Sequence, residues 1–68
     1  MGLVEWEGFL KDQFQSHPKK LIVSILSEKL PRRFSEAFVK EYFPHIEATF
    51  AGSIARVDRE KISKLLGE

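Results

Sequence analysis

An all-α fold is predicted for this 68-residue chain: a compact bundle of four or five short helices with no sheet. Three observations carry that prediction. Apolar residues recur at three- and four-residue steps from end to end, the period of an amphipathic helix. Prolines at positions 18, 31 and 44 fall at the joints between those periodic stretches, where a fixed φ and a missing N–H interrupt one helix and favour the start of another. No stretch alternates with period two for long enough to make a strand. A chain of 7.9 kDa is expected to fold to roughly 4,400 Å² of accessible surface, hiding only about 60% of its extended surface. There is no cysteine, so neither a disulfide nor a thiolate metal site can reinforce it. The core must come from the 43% hydrophobic residues, which include six Phe, one Trp and one Tyr.

The first helix is marked by Leu3, Trp6, Leu10 and Phe14, with Phe9 and Gln13 beside them. It breaks at Gln15-Ser16-His17-Pro18, and Pro18 suits the first position of a second helix, capped by His17 or Ser16. That second helix is expected from about Pro18 to Leu30, with Ile22, Ile25, Leu26, Lys29 and Leu30 inward and Leu21 and Val23 widening the apolar face. Pro31 ends it by disfavouring helical geometry in the residue before. The third helix then runs through Arg32 and Arg33 to Phe43 with Phe34, Ala37, Phe38 and Tyr42 on one face, until Pro44 closes it.

From His45 to Arg56 the pattern weakens. Ile46, Phe50 and Ile54 share a face, but Thr49, Gly52 and Ser53 are poor helix formers, and a glycine inside a helix costs about 1 kcal/mol against alanine. A short helix and a turn-rich segment both fit. In the last helix Asp58 reads as the N-cap, with Val57 spaced to pack on Ile62 as a hydrophobic staple. Ile62, Leu65 and Leu66 point inward, and Gly67 stands where a C-cap glycine belongs. The chain is read as one domain over residues 1–68, free-standing or part of a larger protein.

Several function classes find no support. No apolar run approaches the 18 or more residues of a membrane span, and the N-terminus is acidic where a signal peptide needs basic residues, so a cytoplasmic protein without a membrane partner is expected. Phosphate-binding loops, dinucleotide fingerprints, zinc-protease and calcium-loop motifs and nucleophile elbows are all lacking. His17 and His45 would need a third ligand such as Asp12, Glu41 or Glu47 to bind a metal, and no spacing requires one, so both read as ordinary histidines at helix boundaries. Glu36, Glu41 and Glu47 read as a solvated face. No catalytic, cofactor or metal residue is assigned, and no catalysis is expected of this chain alone.

Charge is uneven: residues 17–33 carry five basic side chains against Glu28, while 1–16 and 34–50 are each net −2. Arg32 and Arg33 open the third helix, where a cation gains nothing from the dipole. They either face a phosphate or an acidic partner, or pair with Glu28 or Glu36. A helix-turn-helix reader would expose Ser35, Glu36, Val39, Lys40 and Glu41, and two acidic residues there repel a duplex. Nucleic-acid binding through Lys19, Lys20, Lys29, Arg32, Arg33 and Lys64 is therefore the disfavoured alternative. Phe9, Val39 and Phe43 lie beside the inward stripes. If exposed, they mark with Arg32 and Arg33 a contact with another protein or another domain of the same chain. A homodimer closed across such a patch, as in a self-associating structural protein, is a further arrangement compatible with the sequence.

One run goes beyond pattern. The lysine-led helix from Pro18, followed by Leu30-Pro31-Arg32-Arg33-Phe34-Ser35-Glu36, resembles the helical insert of a family of NAD(P)/FAD-dependent, aminoacetone-oxidase-like flavoproteins. The closing Asp58-Arg59-Glu60-Lys61-Ile62-Ser63-Lys64-Leu65-Leu66 is similar to the last helix of that insert. The resemblance covers about 50 residues; Tyr42-Phe43-Pro44-His45 replaces a small-residue turn, and Phe50-Ala51-Gly52-Ser53 has no counterpart. It implies a non-catalytic, cap-like module over the flavin and substrate region of a parent. FAD would belong to the parent, and no FAD-contacting residue carries over to this chain.

Overall fold

The chain is built from α1 (Leu3–Ser16), α2 (Ile22–Leu26), α3 (Arg32–Tyr42) and α4 (Arg56–Gly67), with short 3-10 turns at Pro44–Ile46 and Ala51–Ser53. The structure, a computed structural model, describes residues 2–67. Among them there is no strand, only an isolated antiparallel bridge between Leu21 and Phe50. The accessible surface is 4478 Å², in line with the value expected from mass. Helix α1 packs along α4 and α2 packs on α3, while the Ala51–Ser53 turn rests on α1.

Helix α1 follows its periodicity. Trp6, Leu10 and Phe14 are buried, the Gly2 N–H donates to Glu5 Oε2 at 2.8 Å, and the His17 N–H closes the helix on the Gln13 carbonyl at 2.7 Å. The second helix is shorter than expected. Pro18 lies in a turn and does not open a helix, and neither Ser16 nor His17 is the N-cap of the second helix, a place taken by Leu21. The reason is tertiary. The Ala51 N–H donates to the Lys20 carbonyl (2.7 Å) and the Gly52 N–H to the Pro18 carbonyl (2.8 Å), so those carbonyls are taken before a helix can use them. Helix α2 therefore begins only at Ile22 and buries Ile22, Ile25 and Leu26; Lys29 is exposed and Leu30 half-buried.

Helix α3 has the expected bounds but a different inward face. Ser35, Phe38 and Val39 are buried, whereas Phe34, Ala37 and Tyr42 are exposed. Ser35 and Val39 are fully buried. The Ser35 hydroxyl remains satisfied in the interior by donating to the Pro31 carbonyl at 3.1 Å. Phe43, just past the helix, enters the core with Ile46. Residues 44–54 form the turn-rich segment, and of the expected shared face Ile46 and Ile54 are buried but Phe50 is exposed.

Helix α4 starts two residues before the expected cap. Asp58 lies inside the first turn, Val57 is exposed and forms no buried staple with Ile62, and Leu65 is exposed while Leu66 is half-buried. Gly67 is helical, and no described residue has a left-handed φ, so it is not the expected left-handed cap. Its role is close approach: a Cβ at Gly67 would stand 2.5 Å from Leu3 Cα.

Candidate interaction surface

Because α3 has α2 as its close neighbour and α4 has α1, the junction between α3 and α4 is left open as a groove. One wall is an aromatic ladder at four-residue spacing, which stacks side chains one turn apart on a helix. The Phe34 and Phe38 rings lie 6.1 Å apart and nearly parallel, and Phe38 and Tyr42 are 5.4 Å apart. The opposite wall is Leu65 and Leu66 of α4. Phe34 is 50% exposed, Tyr42 59% and Leu65 49%, three large side chains with apolar surface gathered along one groove. Phe38 and Phe43, both buried, join this surface to the core.

The rim is basic. Lys29 and Leu30 stand at one end, Lys61 and Lys64 at the other, and among the described residues Glu41 is the one acidic side chain lining the groove. Lys61 and Lys64 make no ion pair among the described residues. The Lys29 ammonium lies 5.3 Å from the centre of the Phe9 ring, close enough for a cation–π contact.

The residues proposed from sequence fall in different places. Val39 and Phe43 are buried (0% and 3% exposed), so neither is a surface contact. Phe9 is half-buried, edge-on to Trp6 with ring centres 5.8 Å apart. Arg32 is exposed and its Nε donates to Glu36 Oε1 at 3.1 Å, the pairing foreseen as the alternative to a ligand. Arg33 makes no ion pair among the described residues and lines a separate cleft with Val23, Lys40 and Glu47. Of the basic set, Lys20 reaches Glu28 at 4.0 Å, Lys29 and Lys64 belong to the groove, and Arg32 and Arg33 lie on α3. The face suggested for DNA reading is not intact either, since Ser35 and Val39 are interior.

Sequence reasoning missed Phe34, Tyr42 and Leu65 as surface residues because it put them inside. The signal was present. Helix α3 carries two apolar stripes, Phe34-Phe38-Tyr42 and Ser35-Val39, and one short helix in a small domain buries only one fully.

His45 Nε2 lies 3.0 Å from Asp58 Oδ1, a carboxylate not among the partners considered from sequence. His17 serves the end of α1 through its backbone. Among the described residues no three His, Cys, Asp or Glu side chains are grouped as metal ligands, and no helix is long and apolar enough to cross a membrane. No family model, curated protein or solved structure matches this chain.

Proposed function

We propose that this chain is a non-catalytic helical docking module whose contact surface is the groove between α3 and α4. The observation that carries the reading is the continuous exposed strip of Phe34, Tyr42 and Leu65 on buried Phe38 and Phe43. A rigid aromatic ladder with a supported floor is the kind of surface on which a few side chains supply most of the affinity for a partner. Titration of the isotope-labelled chain with small aromatic fragments, such as indole and naphthol, tests this by amide shifts. Perturbations centred on Phe34, Tyr42 and Leu65 support the reading; fragments that gather in the Arg33 cleft, or spread evenly, refute it.

A narrower form makes the module the cap-like insert of an FAD-dependent flavoprotein, with the groove turned toward the parent and the flavin bound by the parent alone. The Leu30–Glu36 run and the polar final helix support it. Sequencing the reading frame on both sides tests the narrower form: dinucleotide-binding segments flanking the domain support it, and unrelated flanks overturn it.

A further inference from the structure

The groove's charge and length specify what should fill it. Its lysines stand at the two ends, Lys29 at one and Lys61 and Lys64 at the other, and among the described residues a single acidic side chain, Glu41, interrupts them. The middle is apolar: Phe34, Phe38, Tyr42, Leu65 and Leu66. From Phe34 to Tyr42 the α3 wall is about 12 Å long at 1.5 Å per residue. A helix laid alongside presents apolar side chains at i, i+3 or i+4 and i+7 over about 10 Å, so two turns of one face match the wall.

We propose that the α3–α4 groove binds an acidic amphipathic helix, an apolar stripe of two to three turns flanked by Glu or Asp, supplied by another protein or another domain of the same polypeptide. The inference rests on the docking reading above and adds the partner's chemistry. The apolar stripe covers Phe34, Tyr42 and Leu65, and the flanking carboxylates meet Lys29 at one end and Lys61 and Lys64 at the other. A second copy of this chain is a poorer occupant, because superposing the same groove on itself brings lysine ends together with, among the described residues, one Glu41 per copy to offset them. Nucleic acid is poorer as well: its phosphates repeat along the whole strand, whereas the basic residues stand only at the ends and Glu41 lies between them.

The test uses the isotope-labelled chain and three helix-stabilised peptides of about eleven residues, three helical turns, with one apolar stripe and polar faces of Glu, Gln or Lys. Shifts are expected at Phe34, Tyr42 and Leu65, with the Glu peptide bound about tenfold more tightly than the Lys peptide at low salt. The preference shrinks as salt screens the rim. The double variant K61E/K64E, with its helical circular dichroism unchanged, reverses the order. Equal binding of all three peptides at the groove, or a preference for the Lys peptide, overturns the acidic partner but leaves the docking surface standing. If no peptide moves a groove amide, the docking reading itself fails. Groove shifts that grow with protein concentration alone make a second copy the occupant and overturn the proposal. So does an oligonucleotide that binds the same residues more tightly than the Glu peptide.

Discussion

Gly52→Ala separates a local from a tertiary account of this fold, because the two give opposite signs. Helix propensity alone makes the substitution stabilising by about 1 kcal/mol. In the structure, an added Cβ would lie 2.8 Å from Pro18 Cβ and 3.2 Å from the Pro18 carbonyl oxygen. A proline ring cannot rotate away, so the Ala51–Ser53 turn must retreat by about 0.6 Å to reach ordinary contact. That retreat stretches the Gly52 N–H bond to the Pro18 carbonyl from 2.8 Å to about 3.4 Å, beyond the useful range, and strains the neighbouring 2.7 Å bond from Ala51 to Lys20. Each such bond has a net worth of about 1 kcal/mol, and the reduced freedom of the unfolded chain returns about 0.4–1 kcal/mol. The expected loss is about 1 kcal/mol, a fall in Tm of roughly 4–8 °C for a domain of this size. Gly8→Ala is the control. Nothing lies within 4 Å of its added Cβ in the middle of α1, and it should gain about 1 kcal/mol. Urea and thermal unfolding followed by circular dichroism measure both. Gly52→Ala at or above wild-type stability would refute the claim that the Pro18–Gly52 contact sets the start of α2.

Three further outcomes follow from the same geometry. Val39→Ala removes two methyl-sized groups from a fully buried site and should cost about 2 kcal/mol, more than the roughly 1 kcal/mol expected for half-exposed Phe34→Ala; urea midpoints in the reverse order would restore the face expected from sequence. Gly67→Ala forces apart the last turn of α4 and Leu3, so amide exchange should quicken at both ends of the fold while the α2–α3 pair keeps its protection; unchanged exchange at α1 would contradict the contact. Glu36→Gln breaks the exposed i,i+4 pair with Arg32 and should alter stability by less than about 0.5 kcal/mol, and a larger loss by thermal unfolding would mean that Arg32 is anchored more firmly than its exposure implies.

The candidate site was legible in part. That α3 has more apolar surface than one contact can bury is visible in its two stripes, and that some aromatics reach solvent follows from the size of the domain. Which stripe is buried was not visible. Hydrophobicity favours Phe34-Phe38-Tyr42, whereas the fold buries the smaller Ser35 and Val39 and tolerates the hydroxyl because it bonds within the helix. The first terms of that choice are in the sequence of α3, but the last is the shape of a neighbour. In the same way Leu65 reads as interior by its spacing from Ile62, yet α4 turns it toward the groove when it packs along α1.

The order of helices, the bounds of α1 and α3 and the proline joints are set by local preferences, which act within a few residues and so can be read from the chain, whereas the segment from His45 to Arg56 leaves a short helix and a turn-rich path both open. The late start of α2, the close approaches at Gly52 and Gly67 and the open α3–α4 groove belong to tertiary structure alone. Each depends on a partner far away in sequence: Pro18 on Gly52, Gly67 on Leu3, and α3 on whichever helix reaches it first. Backbone carbonyls claimed by a distant amide, and the packing of one helix on another, override a periodicity that records only which residues avoid water.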